Sequence, residues 1–441
     1  MLKNSQISSN YAQAKGGGLY VSSYISIENS IISDNVSANG GGIYTGSYCT
    51  IRIRKSILKN NRASNNDNAY GGGIYIYEGK LNIENSEISS NTASSWNSYN
   101  GSCGGGIYVN SATKIVIKNS IISNNKANAD EIDYSYGGAI YSKNCDSLII
   151  ANSLIIGNKA RRGSLYLLGI AKLINSTISD NTSLIDDGWN IYISGKLIAI
   201  NTIIADEIYD ADGSTLEFYY SDIYPSHSGD VEIGTMSVNP QFVDPENGDY
   251  HLLFTSPLID QGTLNSAYIN IEEYPYDLDG NERVVGESID MGAYEYHPNQ
   301  PPTLESDNLT MTTNSVYKYI LQGNDVDGEV IGYKITTSSN IVQTSIIGDT
   351  LIIESGEETG LDSVGVVAID DDSAESQEAF IKINVEITTN VENKSLEEKY
   401  PELLKVYPNP SYGWIKVETS EFGYLYLVSS SERRLLKIKS G

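Results

Sequence analysis

Cysteine and long apolar runs are both scarce in this chain of 441 residues. Only three cysteines occur, Cys49, Cys103 and Cys145, and they fall on different copies of a repeat. Cys49 and Cys145 are about three strand layers apart, or ~14 Å, which is too far for a disulfide bond. The sequence therefore excludes a disulfide framework. No run of about 18 apolar residues is present, so a transmembrane helix is excluded as well.

Positive charge is scarce too, since 29 Lys and Arg stand against 56 Asp and Glu, a net charge of −27. Such a chain repels nucleic-acid phosphate, which argues against a nucleic-acid partner, and acidity of this kind favours a secreted or surface protein. Neither a GxSxG nucleophile motif nor a phosphate-binding glycine loop is found. His227, His251 and His297 stand alone, and we expect surface or turn positions for them rather than metal ligation.

A glycine-rich segment and an asparagine–serine segment recur through the first half of the chain. The glycine segments begin at Gly16, Gly40, Gly71, Gly104 and Gly137, and in degenerate form at Gly163 and Trp189. The second segment begins at Asn4, Asn29, Lys55 (degenerate), Asn85, Asn119, Asn152, Asn175 and Asn201. Spacings of about 23 to 34 residues lie in the range of solenoid repeats.

The aligned copies show which side chains face the interior. One position is always aliphatic: Ile7, Ile32, Leu58, Ile88, Ile122, Ile155, Ile178 and Ile204. The position before it admits charge, as at Glu87, and successive side chains of a strand face opposite sides. We expect three short β segments in each coil. Coils stacked about 4.8 Å apart predict a right-handed parallel β-helix of roughly eight layers, about 38 Å long.

The GGGIY and NSxISxN segments resemble the repeats of bacterial surface and polymorphic outer-membrane proteins, and the fold resembles the pectate-lyase-like superfamily. That resemblance is specific for fold and poor for activity. Lyases of this fold use calcium held by carboxylates with an Arg or Lys base, and hydrolases use paired carboxylates. The resemblance therefore implies that a polysaccharide lyase or glycoside hydrolase is one alternative for this chain.

The chain divides by composition into an all-β series of domains. We expect a β-helix over 1–297 (regular coils 1–210, terminal coils and closing section 211–297), a linker 298–302, a sandwich 303–388, a linker 389–402 and a sorting domain 403–441. Residues 239–295 resemble the closing section of secreted, surface-anchored β-helix proteins. We expect its Asp277–Arg283 turn to be held by Asp, Asn and Gly chemistry and an Arg salt bridge, with calcium as the alternative.

Alternating short segments in 303–388 predict a β-sandwich that resembles immunoglobulin- or cadherin-like modules. Its acidic residues offer possible calcium ligands: Asp325, Asp327, Asp370, Asp371 and Asp372. The alternative is that acidic loops only keep such a module soluble. Calcium is the one cofactor that this sequence suggests.

The segment Tyr407-Pro408-Asn409-Pro410, followed by Gly413 and a strand, resembles the start of type A sorting domains of the type IX secretion system of Gram-negative bacteria. The resemblance covers about 39 residues and lacks the usual final strands. It implies the secretion machinery as a partner and a secreted or cell-surface location. Because Met1-Leu2-Lys3 runs directly into a repeat, we expect the signal peptide to lie upstream of this sequence.

Two surfaces are candidates for ligand binding. An outward tyrosine ends each glycine strand: Tyr20, Tyr44, Tyr75, Tyr108, Tyr141, Tyr166 and Tyr192. This stripe predicts either cross-strand packing or a track on which sugar rings stack. The longest loops after the Asn-Asn turns form a second candidate surface with Tyr70, Trp96, Tyr99, Tyr134 and Tyr136. Asp130 and Asp133 lie about one layer from Arg161 and Arg162, a possible acid–base group.

These observations favour a non-enzymatic, adhesin-like or glycan-binding stalk that is secreted or attached to the cell surface. The partner expected is a polysaccharide or a cell-surface glycan. A lyase or hydrolase is the enzymatic alternative. A purely structural surface component, which needs no site, is the second alternative.

Overall fold

The computed structural model describes residues 1–95, 101–129, 135–185 and 188–387, together with the backbone of four strands between 404 and 436. The described chain is almost entirely β-structure, with two short 3-10 helices, Pro245–Asn247 and Ile271–Glu273. No helix in these ranges has the length and apolar character needed to cross a membrane. The chain forms two compact units, residues 1–298 and 299–441.

Three parallel sheets run along the first unit, and each coil adds a layer to them. Sheet A consists of Leu2–Lys3, Leu19–Val21, Tyr24–Glu28, Ile43–Thr45, Cys49–Arg54, Ile74–Ile76, Gly79–Glu84, Ile107–Val109, Lys114–Lys118, Ile140–Ala151, Leu165–Ile174, Ile191–Ile200, Ile208–Asp210, Thr215–Tyr219 and Val231–Ile233. Sheet B consists of Gln6–Ser8, Ile31–Ser33, Ile57–Lys59, Glu87–Ser89, Ile121–Ser123, Leu154–Ile156, Thr177–Ser179, Ile203–Ile204 and Asp222–Ile223. Sheet C consists of Tyr11–Lys15, Val36–Asn39, Arg62–Asn65, Ala69–Tyr70, Thr92–Ser95, Ser102–Cys103, Lys126–Ala129, Ser135–Tyr136, Lys159–Ala160 and Thr182–Ser183.

The register of sheet B confirms the parallel β-helix. Ile88 pairs with Ile122, and Ile122 pairs with Ile155, so the predicted aliphatic column is continuous from layer to layer. These three side chains are fully buried in one apolar core that sheets A and B share. Burying a side chain of this size stabilises the fold by about 1.5–3 kcal/mol, so the column is a main source of stability.

Residues in the left-handed backbone conformation turn the chain at the corners between sheets. Seven asparagines, Lys55 and Tyr220 occupy the corner before sheet B, with φ between +45° and +50°. Asparagine tolerates this conformation better than most residues, which explains its recurrence in the repeat. The serine that follows links the coils, because the backbone N–H of Ser56 donates to Ser86 Oγ at 3.1 Å and Ser86 repeats the contact with Ser120.

A ladder of buried asparagines follows the corner between sheets B and C. Its members are Asn35, Asn61, Asn91, Asn125, Asn158 and Asn181. Each Nδ2 donates to the Oδ1 of the next asparagine at 2.9–3.0 Å. The last amide, Asn181, donates to the Asp206 carboxylate at 2.7 Å. Asp206 ends the ladder with a side chain that, when ionised, only accepts hydrogen bonds.

Sheet C corrects one part of the sequence prediction. The segments after the Asn-Asn turns were expected to be loops, but they start and end as strands, as Arg62–Asn65 and Ala69–Tyr70 show. Their inward residues are small, with Ala63, Ala93 and Ala127 paired in register and buried. A column of alanines gives a weak apolar signal, so the alternation that marks a strand was hidden.

The terminal part of the first unit folds back over the outer face of sheet B. It contains an antiparallel pair, Phe242–Asp244 with Asp249–Leu252. Its side chains pack on the outward residues of the last coils, with Tyr294 against Leu154 and Met291 against Ile203. The outer column of sheet B is therefore apolar in these coils because the returning chain covers it.

The second unit begins with a two-layered β-sandwich. Its four-stranded sheet consists of Asp307–Thr312, Ala379–Glu386, Gly360–Asp370 and Val330–Thr337, and its three-stranded sheet of Val316–Ile320, Thr350–Ser355 and Val342–Ile347. Inward residues of both sheets, such as Ile353 and Ile381, form one apolar core. Further along the chain, Leu404–Tyr407 pairs with Lys416–Thr419, and Leu425–Val428 pairs with Arg433–Leu436.

Candidate binding surfaces

The tyrosines of the glycine strands form a continuous stack on the outer face of sheet A. In-register pairing places Tyr75 beside Tyr44 and Tyr108, with ring centroids 4.6 and 4.9 Å apart. The stack continues through Tyr141 and Tyr166 at 5.2 Å for each step. These distances are typical of offset-stacked aromatic pairs, which stabilise neighbouring strands by about 0.5–1.5 kcal/mol each.

A second row of aromatic side chains covers the middle of this stack. Tyr70 stacks on Tyr108 at 4.6 Å, and Tyr136 lies against Tyr166 at 4.8 Å. Tyr75 and Tyr108 are consequently buried, although they point away from the interior of the coils. Burial raises the pKa of both phenols well above their ordinary value. Ring neighbours occupy the faces on which a sugar would stack.

The proposed sugar track therefore has less exposed surface than the sequence suggests. Packing explains the positions of Tyr70, Tyr75, Tyr108, Tyr136 and Tyr141 without a ligand. The exposed ring at the beginning of the stack is Tyr20. Ligand binding by these side chains stays a prediction.

The predicted acid–base group is described only in part. Trp96, Tyr99, Asp130, Asp133 and Tyr134 all lie outside the described residues. Arg162 lies in register with Tyr136 and places its guanidinium 5.6 Å from the centre of the Trp189 ring. The backbone N–H of Arg161 donates to Ser135 Oγ at 3.0 Å. Arg161 and Arg162 thus lie beside sheet C, and both are partly buried.

The acidic residues of the sandwich hold its loops through hydrogen bonds. The two oxygens of Asp370 accept from Ala374 N at 2.7 Å and from Asn299 Nδ2 at 3.0 Å. Asp327 accepts from Gln300 N at 2.9 Å, and Asp371 accepts from Glu329 N at 3.0 Å. Within the described ranges, no three acidic, histidine or cysteine side chains are grouped closely enough to hold a metal ion. Calcium binding by Asp325, Asp327, Asp370, Asp371 and Asp372 stays a prediction.

A buried arginine fastens the returning chain to the coils. Arg283 donates to Gly292 O at 3.1 Å and to Asn152 Oδ1 at 3.2 Å, and it lies 3.7 Å from Glu295. Asp277 Oδ1 accepts from Asn281 N at 2.8 Å. The expected turn with Asp and Asn chemistry and an arginine salt bridge is present. Because the guanidinium is fully buried, it is a structural group.

Two histidines differ from the sequence expectation that each stands alone, because His227 Nε2 lies 3.0 Å from Asp210 Oδ1 and His251 has two carboxylate partners. His251 contacts Asp279 through Nε2 at 2.8 Å and Asp249 through Nδ1 at 2.6 Å, and its ring lies 4.1 Å from that of Tyr294. The hydrogen bond to Asp279, together with Asp249, raises the pKa of His251 to about 9. At neutral pH the imidazolium therefore fixes the Asp279 carboxylate in place and partly neutralises it.

A groove of about 420 Å³ opens beside this histidine, where the returning chain meets the uncovered coils. Three successive coils line one side with Lys55, Ser56, Ile57, Asn85, Ser86, Glu87, Asn119 and Ile121, and the returning chain lines the other with Leu278, Asp279 and Tyr294. The next corner, Asn152, is covered because its Nδ2 donates to Tyr276 O at 2.7 Å. The groove therefore ends at that coil.

Sequence reasoning missed the groove because its two sides are far apart in the chain. One signal was available, however. The outward column of sheet B carries Ile57, Ile121 and Leu154, and so many apolar residues on an outer face indicate that another segment covers them.

Comparison with known proteins supports the repeat and adds little about activity. The family model described as the Chlamydia polymorphic membrane protein (Chlamydia_PMP) repeat matches residues 119–143, which is about one coil. No curated protein matches the sequence. A crystal structure of the pectate lyase Pel9A is similar at 15% identity and a TM-score of 0.38, and the match covers 66% of this chain and 86% of the lyase. The fold assignment rests on the strand pairing described above and not on this likeness.

Proposed function

We propose that this protein is a surface-exposed β-helix stalk that binds extracellular glycan without chemically altering it. The observation that carries the proposal is the groove beside Tyr294, which combines apolar side chains, amides and carboxylates on the flank of a rigid rod. Seven of the eleven lining residues are polar and four are apolar or aromatic, a mixture that suits a sugar, whose rings have apolar faces and a rim of hydroxyl groups. The continuous asparagine and tyrosine stacks support the stalk, because they tie each coil to the next.

A glycan array probed with the purified chain of 441 residues tests this function. We expect binding to at least one class of oligosaccharide, with recovery of the unmodified sugar afterwards. Incubation with polygalacturonate or alginate in the presence of Ca²⁺ is expected to leave the ultraviolet absorbance unchanged. Formation of an unsaturated product would show a lyase instead. Absence of binding to every glycan would favour a purely structural role.

We also propose that the chain is exported by a type IX secretion system and that the sandwich is an immunoglobulin- or cadherin-like spacer. The resemblance of Tyr407-Pro408-Asn409-Pro410 to a sorting domain supports export. Expression behind an added signal peptide in a bacterium that has this system, with and without residues 403–441, tests the proposal. Surface labelling should detect the full-length chain only. Equal labelling of both forms would contradict it.

A further inference from the structure

The groove beside Tyr294 has a repeating composition that indicates what lies in it. The corner residues Lys55, Asn85 and Asn119 recur once per coil, so polar groups are presented about every 4.8 Å along the axis. Beside them lie the partly exposed apolar side chains of Ile57 and Ile121. A pyranose chain has the complementary pattern, because each sugar ring carries apolar C–H faces and a rim of hydroxyls.

From this composition and the closed end at Asn152, we infer that the groove binds the terminal units of a neutral pyranose polysaccharide lying along the coil axis. This inference rests on the proposed glycan-binding function and names its site and ligand class. A polysaccharide entering from the open side passes the three corners on one side and Leu278, Asp279 and Tyr294 on the other. It cannot continue, because Tyr276 and Arg283 already occupy the Asn152 amide.

The charge of the whole protein favours a neutral sugar over an acidic one. Glu87, Asp279 and Lys55 line the groove, and the His251 imidazolium partly neutralises Asp279, so the preference comes from the net charge of −27 on the chain. A polyuronate would be repelled by this field. Carboxylates and amides are, in contrast, good partners for neutral hydroxyl groups, which both donate and accept hydrogen bonds.

The backbone around the groove does not favour a peptide ligand. An extended peptide binds most readily by adding a strand to an open sheet edge. Here the strand Glu87–Ser89 is paired on both sides, with Ile57–Lys59 and with Ile121–Ser123. The groove therefore presents a sheet face and turn residues, whose side chains select the ligand.

Substitution of one groove residue tests the site. Glu87→Arg removes an acceptor and fills the groove, so we expect about a tenfold or greater loss of affinity for a neutral glycan, which corresponds to the loss of one charged hydrogen bond. Gln6→Arg is the matched control, because Gln6 lies in the same outward column three coils away. Thermal unfolding of both variants shows whether each is folded. Equal affinity of Glu87→Arg and Gln6→Arg for a bound glycan would overturn the site and leave the proposed function standing.

Two further readouts test the ligand class and the terminal mode of binding. A short and a long form of one neutral glycan should bind equally well when they are compared at the same molar concentration of chain ends. Equal binding of the two forms at the same mass concentration of glycan would instead contradict recognition of chain ends. The proposed neutral ligand would be contradicted if the protein bound uronate oligosaccharides more tightly than neutral ones and Lys55→Ala weakened that binding. Failure of every glycan to bind the unmodified protein would instead overturn the proposed function itself.

Discussion

The asparagine ladder predicts a specific response to Asn125→Asp. Asn125 Nδ2 donates to Ile88 O at 2.8 Å and to Asn158 Oδ1 at 2.9 Å, while its Oδ1 accepts twice from Asn91 at 3.0 Å. The substitution keeps the shape and the accepting oxygen. It replaces the donating nitrogen with an oxygen that faces two other oxygens inside the fold. Both acceptors then lose the donor that this nitrogen supplied, although Asn158 Oδ1 keeps the backbone N–H of Asn125 at 2.9 Å.

The size of the effect follows from these contacts. The introduced oxygen is a buried polar group without a donor, and such a group costs about 1–3 kcal/mol, so we expect the fold to be destabilised by about 2 kcal/mol or more. The introduced carboxyl is buried and faces acceptors, so its pKa in the folded state lies above its unfolded value near 3.9. Destabilisation therefore increases as the pH rises above about 4, because only the unfolded state ionises readily there.

Equilibrium urea unfolding at about pH 4.5 and pH 7.5 measures this effect. Asn82→Asp is the control, because Asn82 points outward between Leu81 and Ile83 and its side chain is partly exposed. We expect the control to stay within about 0.5 kcal/mol of the unmodified protein. The reasoning about the ladder is refuted if Asn125→Asp unfolds at the same urea concentration as Asn82→Asp at both pH values.

Two other substitutions test the end of the ladder and the corners. Burial raises the pKa of Asp206 to about 7 in the folded protein, so this group lowers stability progressively as the pH rises from about 4 to 7, by a total of about 4 kcal/mol. Asp206→Asn should flatten the pH dependence of the urea midpoint in that window, and an unchanged profile would contradict the assignment. Lys55→Asn should raise the unfolding free energy by about 0.5–1 kcal/mol, because Lys55 has φ +46° where seven of the other aligned corners carry asparagine. A lower thermal midpoint for Lys55→Asn would contradict this account of the corner.

The regular coils could be predicted because each position repeats. Ile88, Ile122 and Ile155 occupy the same position in successive coils, between neighbours that face the other side of the sheet, and the structure confirms this column. Sheet C could not be predicted in this way. Its inward alanines, such as Ala93, differ too little from the serines and asparagines around them to mark an alternating strand.

The candidate site was harder to predict because it depends on contacts between distant parts of the chain. The outward tyrosines were identified, but the cover that Tyr70 and Tyr136 provide comes from another sheet. His251 was interpreted as isolated, although one partner, Asp249, lies two positions away; its other partner, Asp279, lies 28 positions further along the chain. The groove combines three coils with a segment that returns more than 150 residues later. A pattern within single coils carries no information about such contacts.

Cross-linking of cysteine pairs tests the stacking of the coils most directly. Ile57 and Glu87 are in-register neighbours in sheet B, whereas Ile31 and Glu87 are separated by one further layer. Adjacent layers lie about 4.8 Å apart, within the reach of a disulfide bond, and two layers span about 9.6 Å, which is beyond it. Under mild oxidation, Ile57→Cys with Glu87→Cys should form an intramolecular disulfide, and Ile31→Cys with Glu87→Cys should not. Equal cross-linking of the two pairs, or cross-linking of the second pair alone, would contradict the parallel β-helix.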